Sequence, residues 1–303
     1  MLEAAREALC GAGVLRPGDA MPPFTVRMSG NLVFLVYPPG PAFYLVKIGL
    51  HSDLKHEYEG FSAGYAAFPD GVPKPLALSQ HRSLPVLVTT GIAFAPLGPL
   101  PMSAPSPNLE RAMAHYFATA AHAFRVEHGP SHSQCIRNAF ESLSPEVASD
   151  SWAGYIDDLS GDVDHLPATR QHGDFYVNNL GLYKDALVVL DWEDFGLTCM
   201  PGFDLALLLL SLNAFSISEI RINTVQGARH SWILRAGTEG TGLSERLFLR
   251  LLPAYLAITA QMKKGRGYEA GLRERAIRGL LGARDLADGG SGALEHIAQS
   301  RRQ

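Results

Sequence analysis

With 303 residues, 47% apolar and 18% charged, the chain has enough nonpolar material for one large domain or two lobes and lacks the polar profile of a disordered polymer. Its formal net charge is −4, from 26 Lys and Arg against 30 Asp and Glu; no overall positive field favours a nucleic-acid partner. Three scattered cysteines, Cys10, Cys135 and Cys199, suggest neither a disulfide framework nor a cysteine zinc site and fit a reducing cytoplasm.

The opening Met1 to Glu7 carries acids and no long apolar core, so no secretory signal is expected there. A short helix is predicted from Glu3 to Cys10, ended by Gly11 and Gly13. Three runs rich in Val, Leu, Phe and Tyr follow, Phe24 to Arg27, Leu32 to Tyr37 and Ala42 to Ile48. Ser29-Gly30-Asn31 and Pro38-Pro39-Gly40-Pro41 separate them, which is the pattern of an antiparallel meander. From Leu54 the spacing of Leu54, Phe61, Tyr65 and Phe68 is helical. Val72 to Leu78 and Pro85 to Thr90 read as two further strands, giving a small sheet with one inserted helix.

Ala95 to Asn108 holds five prolines and reads as an irregular connector, with a lobe boundary just before it: 1–92 and 93–303. Helices are predicted over Leu109 to Val126 and Ile136 to Leu143, then two short strands, Gly181 to Tyr183 and Leu187 to Leu190, around Lys184-Asp185. Further helices are expected over Phe203 to Leu212, Leu243 to Met262 and Tyr268 to Arg284. Leu205 to Leu212, the longest apolar run, is shorter than the roughly 20 residues of a membrane span and reads as a buried helix. Asp288 to Gly292 reads as a linker before a frayed tail.

The chemistry-bearing residues lie around the second pair of strands. Asp174 and Asn179 stand five apart in a loop after Gln171-His172-Gly173, and Asp191 ends the strand Leu187 to Leu190. A carboxylate aimed at a hydroxyl, with oxygen ligands for magnesium beside it, is what phosphoryl transfer asks of a protein. Three stretches carry a resemblance: His172-Gly173-Asp174-Phe175-Tyr176-Val177-Asn178-Asn179, Val189-Leu190-Asp191-Trp192-Glu193-Asp194, and Pro201-Gly202-Phe203-Asp204-Leu205-Ala206. In order and spacing they resemble the aminoglycoside phosphotransferase and choline kinase superfamily.

That resemblance implies an α+β, bilobal, protein-kinase-like fold, with a nucleotide-binding N-terminal lobe and a larger, mainly helical catalytic and substrate lobe. It implies Asp174 as the catalytic carboxylate that orients the acceptor hydroxyl, Asn179 and Asp191 as ligands of Mg2+, His172 as a holder of the catalytic loop and Asp204 as a structural buttress. Lys47, at the end of Tyr44-Leu45-Val46-Lys47, is placed to meet the nucleotide phosphates, with a partner acid from the following helix. Glu57 is the first candidate for that acid and Glu59 the alternative; they point to different helix faces. Ser29, Gly30 and Asn31 occupy the position of a phosphate-covering loop, although one glycine is a thin signal and a plain hairpin turn explains it nearly as well.

The expected donor is ATP, with GTP not distinguished, and the expected acceptor a hydroxyl-bearing small molecule. A serine or threonine of a peptide, as in modified-peptide biosynthesis, is the alternative acceptor, and a nucleotide-binding scaffold without turnover the non-enzymatic alternative. Trp192-Glu193 stands where eukaryotic-type protein kinases carry Phe-Gly, which points toward the metabolite branch.

His128, His132 and Cys135 are read as loop residues without a fourth metal ligand, and His115 and His122 as packing or surface residues on one helix. Residues 150–204 hold eleven acids and two basic residues, whereas 239–303 hold eleven Lys or Arg and seven acids. Asp157, Asp158, Asp162 and Asp164 are read as a solvated loop, the alternative being a wall for a cationic substrate. The basic C-terminal helices speak against a polycationic aminoglycoside.

Overall fold

The computed structural model describes residues 1–98, 106–143, 151–225, 230–265 and 270–288. The connector's residues 99–105, the first residues of the last predicted helix at 268 and 269, and the glycine-rich stretch 289–292 lie outside the described residues, as does the side chain of Ser29. The protein is α+β, and its chain divides into two compact units. The first comprises residues 1–101, 105–124 and 170–198, and the second 102–104, 125–169 and 199–303.

In the first unit α1 (Leu2–Gly11) precedes a five-stranded antiparallel sheet of β1 (Phe24–Ser29), β2 (Asn31–Val36), β3 (Tyr44–Ile48), β4 (Pro75–His81) and β5 (Leu84–Thr90), in spatial order β1-β2-β3-β5-β4. Period-two alternation gives the sheet two unlike faces. Phe34, Val36, Val46, Ile48, Val86 and Val88 are buried with Ala4, Ala5, Ala8 and Leu9 of α1. The register pairs Lys47 with Val33 on one side and Leu87 on the other, so Lys47 stands on the face away from α1.

Helix α2 (Lys55–Ala67) follows β3. Its end carries the chain on through Val72, whose N–H donates to Phe68 O at 3.0 Å. β4 therefore starts at Pro75 rather than at Val72. The remainder of the unit is α3 (Pro107–Ala123), capped by Ser106 through the Leu109 N–H, and a small sheet of β6 (Ala95–Pro96), β7 (Leu180–Tyr183) and β8 (Ala186–Val189). β6 is a strand inside the segment expected to be irregular. Its two residues pair with Leu182 and Gly181. A run of rings forms this part of the core: Phe68 stacks on Tyr116 and Tyr116 on Phe175, both at 4.8 Å between centroids.

The second unit is helical: α4 (His132–Glu141), α5 (Ser151–Val163), α6 (Phe203–Leu212), α7 (Ile217–Val225), α8 (Ser231–Thr241), α9 (Glu245–Met262) and α10 (Ala270–Asp288). α6 is buried on every side from Phe203 to Leu210, as an all-apolar run must be. No helix among the described residues is long and apolar enough to cross a membrane. Asp204 lies buried in its first turn, where a carboxylate meets the positive end of the helix dipole.

α5 corrects the reading of the acidic run as a solvated loop. Asp157, Asp158 and Asp162 are helical, and Asp157 pairs with Arg137 at 3.0 Å while Asp162 pairs with Arg250. Asp164, just beyond the helix, accepts from Ser133 N at 2.8 Å and from the Ser131 hydroxyl at 3.0 Å, so it ties down the start of α4. His132 is likewise no loop residue. It opens α4, is buried, and lies 3.1 Å from Leu166 O through Nε2; burial lowers its pKa, with Leu166 and Asp164 pulling the other way.

α5 also repairs α9. Pro253 interrupts that helix, and proline both lacks an N–H and crowds the preceding turn. The Tyr155 hydroxyl enters the ladder there, donating to Arg250 O at 2.9 Å and accepting from Ala254 N at 3.2 Å. That hydroxyl bridges an i, i+4 pair of the ladder one residue on from the carbonyl of Leu249, which is the group that Pro253 leaves without its helical donor.

Candidate functional site

The site lies in the first unit, and glycines decide its geometry. α2 packs against the turn Trp192–Asp194, and it does so through Gly60 and Gly64. A Cβ on Gly60 would stand 2.5 Å from Trp192 O, and one on Gly64 2.6 Å from the Trp192 ring. Trp192 is fully buried and donates from Nε1 to Val189 O at 3.1 Å. The helix that carries Glu57 is thus seated directly on the residue that follows Asp191.

Lys47 Nζ lies 2.7 Å from Glu57 Oε2, 3.5 Å from Glu193 Oε2 and 3.8 Å from Asp191 Oδ1. Glu59 is elsewhere on α2, an exposed partner of Lys55 at 3.9 Å. Burial opposes the charge on Lys47, but Glu57, Asp191 and Glu193 outweigh it and hold the ammonium above its ordinary range. Partial loss of hydration pushes the Asp191 carboxyl up to about 7; Lys47 pulls it down, whereas Glu193, Glu57 and Asp174 add to the rise. Three carboxylates converge on one ammonium.

Asp174 and Asn179 form a clasp across a 3-10 turn, Val177–Asn179. Asn179 Nδ2 donates to Asp174 Oδ2 at 2.7 Å and to Asp174 O at 2.9 Å. Gly173 permits the approach: its φ is +84°, and a Cβ there would meet Asp194 O at 2.6 Å. His172 is buried, its Nε2 donating to Leu190 O at 2.9 Å, which leaves Nδ1 to accept from Asp174 N at 3.2 Å. Leu190 N donates in turn to Asn179 O at 3.0 Å. Both backbone groups of Leu190 are therefore held by the loop, and Asp191 emerges from it with φ 62° and ψ 70°, a left-handed conformation uncommon outside glycine and less so for aspartate and asparagine than for other side chains.

These groups fit a divalent cation. Asn179 spends its amide nitrogen on Asp174, which leaves the neutral Oδ1 as its remaining donor atom for a cation, while the Asp191 side chain is 41% exposed and crowded by like charge. Hard oxygen donors of this kind suit magnesium. No cluster of three or more His, Cys, Asp or Glu arranged to hold a metal occurs among the described residues, so a full protein-only cage is not what the site offers. Magnesium sites of phosphoryl transfer use one or two protein oxygens with substrate phosphates completing the shell.

Lys47, Glu57 and Asp191 are brought together, and Asp174 and Asn179 beside them. The Ser29-Gly30-Asn31 turn differs. Ser29 pairs with Asn31 across Gly30 alone, with φ +73° at the glycine, and the buried Asn31 carboxamide accepts from Ser52 Oγ at 3.0 Å and Leu50 N at 3.3 Å. That side chain braces the segment between β3 and α2. Glu193 is the residue that sequence reasoning did not single out. Its signal was present in the quoted Asp191-Trp192-Glu193, but its aim at Lys47 depends on the left-handed turn at Asp191.

No family model and no curated protein matches the sequence. Solved structures do match, and they give the protein the protein-kinase-like fold of the aminoglycoside phosphotransferases and the choline and ethanolamine kinases. A Plasmodium vivax ethanolamine kinase aligns over 93% of this chain and 87% of its own, with 12% identity and a TM-score of 0.62. A thermostable mutant of aminoglycoside phosphotransferase APH(4)-Ia, in a ternary complex with ADP and hygromycin B, aligns over 96% and 99%, with 16% identity and a TM-score of 0.61. A choline/ethanolamine kinase family protein from Mesorhizobium loti aligns over 94% and 97%, with 18% identity and a TM-score of 0.55.

Proposed function

We propose that the protein is a magnesium-dependent phosphotransferase that moves the γ-phosphoryl group of ATP to a hydroxyl of a small molecule. The observation that carries this is the convergence of Lys47, Glu57 and Asp191 beside the Asp174–Asn179 clasp. Lys47, fixed by Glu57, binds the nucleotide phosphates. Asn179 Oδ1 and Asp191 hold Mg2+, which supplies charge neutralisation at the transferring phosphoryl group. Asp174 orients the acceptor hydroxyl and receives its proton as the new O–P bond forms and ADP departs. Residues 1–92 act as the nucleotide lobe, with Ser29 to Asn31 contributing at most backbone amides, and 93–303 act as the catalytic and substrate lobe.

Supporting the small-molecule class, the fold's neighbours named above are an ethanolamine kinase and an aminoglycoside phosphotransferase bound to hygromycin B. The pairing of Asp157 with Arg137 and of Asp162 with Arg250 halves the acidic charge that this segment could offer a polycationic acceptor. The one-residue turn at Gly30 favours a second reading, a nucleotide-binding scaffold without turnover, since it offers few amides to cover a phosphate.

A transfer screen with γ-labelled ATP against hydroxyl metabolites, aminoglycosides and peptides separates these. Label should pass to a small hydroxyl acceptor. Asp174→Ala should lower the rate by about a thousandfold or more, the loss of a positioned base together with acceptor alignment, while Mg-ATP still raises the melting temperature by mass action. Mg-ATP stabilisation with no transfer to any acceptor would establish the scaffold instead, and absence of both would sink the nucleotide reading.

A further inference from the structure

The first unit holds a cleft of about 470 Å3 whose lining shares no residue with the Lys47 cluster, bordered by the turn after α2, one face of α3 and the β7–β8 hairpin. Its size suits a small molecule. Phe68 and Tyr116 line it together with Ala67, Pro69, Ala112 and Leu187, and its rim carries Asp70, His115, Lys184 and Asp185. Asp70 has no hydrogen-bond or ionic partner among the described residues. Asp185 Oδ1 accepts from Asn108 Nδ2 at 2.6 Å, a neutral partner that leaves its charge uncompensated. Lys184 is turned onto the Tyr183 ring, with Nζ 5.0 Å from the centroid. Two exposed carboxylates therefore stand at the rim beside one ammonium that is already engaged with a ring, above a floor in which Tyr116 is stacked between Phe68 and Phe175.

We propose that this cavity is a second small-molecule site, taking a primary amine on a compact aromatic or apolar body, and that its occupation steadies the Asp174 loop. The apolar body lies against Ala67, Pro69 and Ala186, the more accessible apolar part of the lining, over the buried Phe68 and Tyr116, while the ammonium meets Asp70 and Asp185 at the rim. Transmission has a physical carrier within the same unit: Tyr116 stacks on Phe175 at 4.8 Å, and Phe175 is the residue after Asp174. Binding at the cavity is independent of phosphoryl transfer, whereas any effect on turnover rests on the function proposed above.

Tyramine is the probe, with 4-ethylphenol as its uncharged counterpart and 3-(4-hydroxyphenyl)propionate as its anionic one. Equilibrium dialysis of the full chain should show tyramine binding in the millimolar range or tighter and both counterparts about tenfold weaker or worse, the loss expected when a charge-assisted hydrogen bond goes. Asp70→Asn should weaken tyramine by a similar factor, and Ala186→Trp, which fills the cavity, should abolish binding, with circular dichroism checking that each variant is folded. Asp191→Asn should leave tyramine binding unchanged. Hydrogen exchange of residues 172–180, followed by mass spectrometry, should slow when tyramine is bound. No binding, equal binding of the propionate, or binding that survives Ala186→Trp but falls with Asp191→Asn would overturn the site. Binding with unaltered exchange at 172–180 would overturn the coupling.

Discussion

At Asp191, two costs coincide at one residue: a left-handed backbone and a carboxyl crowded by Glu193, Glu57 and Asp174. Because its folded pKa is raised to about 7 from 3.8, the folded chain holds this proton more tightly than the unfolded one. The corresponding stability is present at low pH and is lost as pH rises through about 7. Metal-free protein should accordingly lose thermal stability between about pH 4 and 7 at this group and level off above that, and Asp191→Asn should flatten that slope. At pH 8 the variant should melt about one or two degrees higher without metal, a shift of under about 1 kcal/mol in a chain of this size, and should lose the extra stabilisation given by magnesium with ATP. A steeper metal-free pH slope in the variant would contradict this assignment. The loop residues were legible because their order and spacing repeat a recognisable pattern. Neither the dihedral angles of Asp191 nor the reach of Glu193 was, since both are set by the Trp192 turn and by the seat of α2 rather than by spacing.

Two helices depend on contacts that composition does not reveal. α2 needs Gly64 bare because a Cβ there would stand 2.6 to 2.8 Å from Trp192 ring carbons. Gly64→Val should cost about 1–3 kcal/mol by overpacking and weaken nucleotide binding by displacing Glu57. Gly154→Ala, where a Cβ meets nothing within 4 Å, should be neutral or slightly stabilising by about 0.4–1 kcal/mol. Urea midpoints of the two variants test this, and equal midpoints would remove Trp192 as the seat of α2. In α9, Tyr155→Phe strands Arg250 O and Ala254 N and should cost about 1–3 kcal/mol; a thermal shift within error of wild type would show that the helix closes its own ladder past Pro253. α5, α7 and α8 escaped sequence reading for a shared reason. α5 carries two glycines and three aspartates, α7 is rich in isoleucine, threonine and valine, and α8 carries two glycines, all poor helix formers. In α5 the apolar series Trp152, Ile156, Leu159 and Val163 is buried, and tertiary packing overrides propensity. α9 was legible because length and apolar periodicity agree there, and α6 because an unbroken apolar run of its length has to be buried.

Across the whole molecule, the first unit is discontinuous in sequence: residues 1–101 and 105–124 join 170–198 only after 125–169 have been laid down in the second unit. The N-terminal sheet was readable because its strands are neighbours in the chain, whereas this interleaving leaves no trace in local pattern. Its consequence falls on the nascent chain. β1 to β5 can pair as soon as they leave the ribosome, but the side of α2 carrying Gly60 and Gly64 has no Trp192 to rest on until about 130 further residues are made, on the order of ten seconds at ordinary elongation rates. In that interval an apolar helix face is uncovered and Lys47 has Glu57 but neither Asp191 nor Glu193. Chains ending at residue 165 should exchange α2 amides about as fast as an unprotected helix, and chains ending at residue 215 should protect them. Full protection in the shorter chain would mean that α2 is seated by the sheet alone. The order of synthesis thus makes the Lys47 cluster complete itself late, from a strand and a helix that have been waiting for Asp191 and Glu193.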